Sequence, residues 1–173
     1  HGVSHVMIAT SYGFSAIYRR SSQGISAVVI AEKVGAMERD YDYTSAVFGE
    51  DLDSPQQVGA SAAERTLSRL GPQKPATGHF PVVYHQRVAG SLVGTLAGAI
   101  NGAAIARGTS FLKDSMGEQI TSPGLTFIDD PLRPRGMASR LFDGEGLAVS
   151  RRAMVEDGVL KSWFLDIASA TKL

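Results

Sequence analysis

A chain of 173 residues with 43% apolar content can bury one real core, so a single compact domain, or a segment of one, is expected over residues 1–173. Seventeen basic side chains balance 17 acidic ones, which argues against a nucleic-acid binder, since that class needs a basic surface to release counterions. No cysteine is present, which excludes disulfides and thiolate metal sites, and no leader-like segment opens the chain; a reducing, cytoplasmic setting is the expectation.

Residues 5–48 read as β-sheet. HVMIAT, GFSAIYRR and ISAVVIAE are short β-branched and aromatic runs broken by Ser/Gly clusters that suit turns. AMERDYDYTSAV alternates, with Met37, Arg39, Tyr41 and Tyr43 on one face and Glu38, Asp40, Asp42 and Thr44 on the other. The acidic stripe is a candidate for a hard cation, but a solvated outer sheet face is the favoured reading, because such ligands normally converge from a loop. Ser54–Leu70 is a well-punctuated helix: Ser54 at the N-cap, Pro55 first, Gln57 placed for a capping box, a stripe of Val58, Ala62, Thr66, Leu67 and Leu70, and Gly71-Pro72 as the stop. QKPATGH is a loop and HFPVVYH a short strand.

The segment VAGSLVGTLAGAINGAAIA, 88–106, is free of charge and carries glycines four apart at Gly90, Gly94, Gly98 and Gly102. On a helix from Arg87 to Arg107 these make one bare ridge, and each interior glycine costs roughly 0.5–1 kcal/mol relative to alanine. A second backbone packed close against the ridge is the expected compensation. Ser91, Thr95 and Asn101 dilute the apolar residues too much for a membrane span, and the glycines run through the helix body instead of a phosphate-binding turn. Downstream, SFLKDSMGEQ reads as a short helix, GLTFIDD as a strand, PLRPRGMASR as a loop, and GLAVSRRAMVEDGVLKSWFLDI as a hairpin turning at Asp157-Gly158.

Candidate chemistry is sparse. His79 and His85 bracket one strand at a spacing that keeps them about 20 Å apart, so they cannot share a metal. No G-x-S-x-G elbow is present. Asp129, Asp130, Arg133, Arg135, Asp143 and Glu145 form the densest polar region. Asp129, Asp130, Arg133 and Arg135 are candidates for peptide or partner contact, because guanidinium groups in a Pro/Gly turn suit a carboxylate; an internal ion-pair network explains them equally well.

The phrases AMERDYDYTSAV, RVAGSLVGTLAGAINGAAIARGTSFLKD, IDDPLRPRG, FDGEG and VEDGVLKSWFLD, in this order, resemble the PmbA/TldE family, the "modulator of DNA gyrase" proteins. The resemblance runs from about Ala9 onward. It implies an excised middle segment of a longer chain, of α+β class, with antiparallel sheet and two principal helices, Ser54–Leu70 and Arg87–Arg107.

It also implies a TldD-like partner that holds zinc, with which TldE-like chains form a peptidase of small or unfolded peptides and peptide precursors. The TldD half carries H-E-x-x-x-H on the matching helix, plus a distant cysteine. Here those positions are Gly94, Thr95 and Ala99, none of which supplies a zinc donor or a base at neutral pH. The resemblance therefore implies the non-metal subunit, with no catalytic residue, metal or cofactor of its own and no nucleic acid or membrane partner. An independent peptide-binding or scaffold module with no role in proteolysis is the alternative.

Overall fold

The computed structural model describes residues 1–173 throughout. The chain, expected as one domain or segment, forms two compact units: His1–Gly78 with Arg133–Ser139, and His79–Leu132 with Arg140–Leu173.

In the first unit, β1 (Gly2–Ala9), β2 (Ser15–Lys33) and β3 (Ala36–Ala46) form an antiparallel sheet in the order β1-β2-β3. The two runs expected on either side of a Ser/Gly turn are one 19-residue strand. β1 pairs with its first part and β3 with the rest, so ladder bonds hold Ser21–Gly24 extended. Ser21 Oγ donates to the Val47 carbonyl at 3.0 Å, and a Cβ on Gly24 would stand only 3.3 Å from the Thr44 carbonyl oxygen. β2 and β3 are joined by Val34-Gly35, both at positive φ (52° and 76°), a primed hairpin that the sequence hides because a β-branched residue is disfavoured there.

The helix α1 (Pro55–Ser68) forms as expected, with the reciprocal capping box in place: Gln57 N–H donates to Ser54 Oγ at 3.2 Å, and Ser54 N–H to Gln57 Oε1 at 2.8 Å. Val58, Ala62 and Thr66 are buried on its inner stripe, whereas Leu67, expected there too, is 59% exposed.

The acidic stripe of β3 faces this helix and not solvent, which corrects the expectation of a solvated outer face. Arg65 pairs with Asp42 at 2.5 Å, and Arg69 reaches Asp40 at 3.2 Å and Glu38 at 3.7 Å. The guanidiniums of Arg65 on α1 and of Arg69 at its C-cap make the acidic face the covered one, so Val28, Ile30, Met37, Tyr41 and Tyr43 lie exposed on the other.

The second unit holds α2 (Gln86–Ala99), α3 (Gly102–Ala106), β4 (Phe127–Asp129), β5 (Arg152–Glu156), β6 (Val159–Leu160) and α4 (Ile167–Lys172). Its sheet is antiparallel in the order β4-β5-β6. The turn at Asp157 (φ 48°) and Gly158 (φ 79°) is the expected primed hairpin. Ala99, Ile100, Leu112, Met154, Val155 and Leu160 make the core, with Trp163 and Phe164 packed against it.

Two expected elements are absent. Residues 110–119 form turns, and 79–85 pairs with nothing, leaving Phe80, Val82 and Val83 exposed, because a strand needs a ladder that no segment of this unit offers.

Candidate functional site

The helix expected over Arg87–Arg107 is broken in two. His85 caps α2, its Nδ1 accepting Arg87 N–H at 3.2 Å. At the other end Asn101 leaves helical geometry, and its Oδ1 accepts the N–H groups of Ala103 and Ala104, starting α3. The main chain of Phe164 fills the break: Phe164 N–H donates to Ile100 O at 2.9 Å, and Gly102 N–H to Phe164 O at 2.7 Å.

Gly102 is the one glycine of the four with a backbone against it. A Cβ there would lie 2.7 Å from Phe164 O and 2.6 Å from Ser169 Oγ. Beside Gly90, Gly94 and Gly98 a Cβ would meet only open space. The ridge expected to be packed is therefore uncovered within this chain, because α2 buries its Leu96, Ala99 and Ile100 side against β5 and β6 instead.

Gly94, Thr95 and Ala99, the positions that the resemblance sets against the zinc motif, do not converge. Gly94 and Thr95 are exposed and Ala99 is buried, and Ala99 lies five positions after Gly94, roughly 140° around a helix. Thr95 Oγ1 donates back to the Ser91 carbonyl at 2.9 Å. No cluster of three His, Cys, Asp or Glu side chains is arranged to hold a metal ion. These residues do not fit a zinc centre.

The polar loop candidates are engaged in separate pairs. Asp129 faces Arg152 at 3.7 Å and Asp130 faces Arg151 at 3.6 Å. Arg135, at a positive φ of 57°, belongs to the first unit, where it bridges Glu50 (2.5 Å) and Asp51 (2.6 Å) and lies over the Phe48 ring at 4.6 Å. These carboxylates, Glu50 first, raise its pKa further above the usual guanidinium value. Arg133 contributes its carbonyl, which accepts from Gly136 N–H and Ser139 Oγ. Arg135 thus serves the internal network, not a free ligand-binding turn.

Three cavities open in the second unit, one of them a shallow space of about 250 Å³ between Asn101 and the start of α4 at Asp166. Another, about 160 Å³, is apolar and lies between α2 and the sheet, against Val93, Ile100, Phe127 and Met154. The third, about 250 Å³, is lined by Asp129, Arg140, Asp143, Ser150, Arg152 and Phe164 among others. Arg140 and Arg152 stand outside the polar cluster that the sequence marks, although Arg140 is the third arginine of the same PLRPRGMASR loop. Asp143 Oδ1 accepts from the N–H groups of Glu145 (2.9 Å) and Leu147 (2.8 Å), and Glu145 Oε2 accepts Ile167 N–H at the start of α4.

Against known families, residues 1–70 match the PmbA/TldA metallopeptidase central domain and residues 77–173 the PmbA/TldA metallopeptidase C-terminal domain. This chain belongs to that family. The Metalloprotease PmbA of Escherichia coli O157:H7 is 43% identical over 96% of this chain, and a Metalloprotease PmbA homolog of Haemophilus influenzae is 35% identical over 94%. The match spans only 37% and 36% of those two relatives' own length.

Among solved structures, a Bacteroides thetaiotaomicron protein described as a modulator of DNA gyrase superposes with a TM-score of 0.91 at 30% identity, over 98% of this chain and 39% of that one. TldE of Thermococcus kodakarensis shares the fold at a TM-score of 0.80 and 19% identity, over 98% of this chain and 38% of its own. The boundary between the two family domains falls where the first compact unit gives way to the second. The α+β class with antiparallel sheet, implied by the resemblance, is what this family's fold shows.

Proposed function

We propose that this chain is part of a TldE-like, non-metal subunit of a TldD/TldE-type zinc peptidase, acting in the cytoplasm on small or unfolded peptides. The subunit shapes the chamber and regulates or positions the substrate, holding peptide as an extended strand by β-augmentation, while the zinc resides in a TldD-like partner. One observation carries the reading. On the helix where a metallopeptidase needs His, Glu and His, this chain has Gly94, Thr95 and Ala99, two of them on a surface and one in the core. The peptidase names of its relatives supply the reaction class.

The test is to purify the full-length protein alone and with a TldD-like chain, and to assay zinc content and cleavage of an unstructured peptide. The protein alone is expected to hold well under one equivalent of zinc and to cleave nothing, and the pair to cleave. Chelator-sensitive cleavage by the protein alone would overturn the proposal. Failure to associate with a TldD-like chain would favour the independent binding module.

A further inference from the structure

The cavity of about 250 Å³ in the second unit is lined by two guanidiniums, of Arg140 and Arg152, and two carboxylates, of Asp129 and Asp143. Asp129 and Arg152 face one another at 3.7 Å, and Asp143 is held by two main-chain N–H groups. Arg140 differs. Its main-chain N–H donates to the Pro131 carbonyl at 2.9 Å, but its guanidinium makes no ion pair. An anion at this cavity therefore meets one guanidinium that no carboxylate of the chain already holds, a planar fork whose geometry suits a carboxylate.

The second observation is in the main chain. Val149 and Ser150, both at the cavity, lie between the isolated bridge Phe142↔Ala148 and the start of β5 at Arg152, and they join no ladder. Their N–H and C=O groups are open to pairing with an extended segment. Phe164 and Leu165 give the same cavity an apolar wall, suited to a terminal side chain.

We propose that this cavity is a subsite for the C-terminal end of a peptide: Arg140 holds the α-carboxylate, and the Val149–Ser150 main chain aligns the residues before it. The inference rests on the reading of the protein as peptide-holding.

The experiment uses the full-length protein with its TldD-like partner, treated with chelator so that the peptide stays intact, and an unstructured peptide, labelled at its N-terminus, made with a free C-terminal carboxylate and as the C-terminal amide. Fluorescence anisotropy is expected to show the free acid binding roughly 10-fold more tightly, the scale of one charge-assisted contact. Arg140→Gln should abolish the preference, and Arg140→Lys should restore part of it. Equal binding of acid and amide by the parent, or a preference that survives Arg140→Gln, overturns the subsite and leaves peptide holding intact. If neither peptide binds, peptide holding fails and the subsite with it. Displacement of the acid peptide by inorganic phosphate at lower concentration than by acetate would mark a phosphate site and also overturn it.

Discussion

Gly94 and Gly102 lie on one sequence ridge, yet the same change, glycine to alanine, should have opposite sign at the two. Gly94 is in the body of α2 with nothing within 4 Å of a built Cβ, so Gly94→Ala collects only the helix-propensity gain, about 0.5–1 kcal/mol. At Gly102 the new methyl would be forced to 2.7 Å from the carbonyl oxygen of Phe164, a backbone atom fixed by its own bond to Gly102 N–H. Ser169 Oγ and Leu165 Cδ2 can rotate away; that carbonyl cannot, so overpacking of about 1–3 kcal/mol is expected. Urea unfolding followed by Trp163, the sole tryptophan and part of the second unit's core, reads this unit separately. With a slope of about 1–2 kcal/mol per molar, the midpoint should rise by about 0.5 M for Gly94→Ala and fall by about 1 M for Gly102→Ala. A lowered midpoint for Gly94→Ala would mean that its face is packed. An unchanged one for Gly102→Ala would mean that Phe164 does not lie against it.

Val34 is held at φ 52° in a turn that favours Asn-Gly, so Val34→Asn should stabilise the first unit by about 1 kcal/mol, read as a higher melting temperature; a fall would argue against the primed turn. The Ser61 hydroxyl, and with it the Arg65 guanidinium, holds the Asp42 carboxyl below its ordinary value of 3.8. A depressed native pKa means stability that is present above about pH 4 and lost as pH falls through the native value, so Asp42→Asn should cost stability at pH 7, with the difference from the parent narrowing in acid titrations. A gap between the two that is constant from pH 7 to pH 3 would refute this. Combining Gly94→His, Thr95→Glu and Ala99→His restores the zinc motif in sequence, but the second imidazole enters the core, so the variant should lose about 1–3 kcal/mol and bind zinc only weakly by calorimetry. Tight stoichiometric zinc with no loss of stability would contradict the placement of Ala99.

Much was legible from short-range chemistry alone. Ser54, Pro55 and Gln57 determine the start of α1 through contacts within one turn, and Asp157-Gly158 determines a primed hairpin through two backbone angles. The family phrases are likewise present in the residues themselves. What the tertiary structure decided depends on partners far along the chain. The alternation in β3 gives two faces but not which is covered; Arg65 and Arg69, over 20 residues away, turn the acidic one inward. The glycine spacing gives a ridge, but Phe164, some 60 residues later, fills a break in the helix at Asn101, and α2 turns its Leu96, Ala99 and Ile100 side to the core and leaves three of the four glycines open. HFPVVYH has the composition of a strand and no ladder to join. Caps and turns close within a few residues and so are written locally. Which face is buried, and which strand is paired, depends on long-range contacts that sequence spacing does not encode.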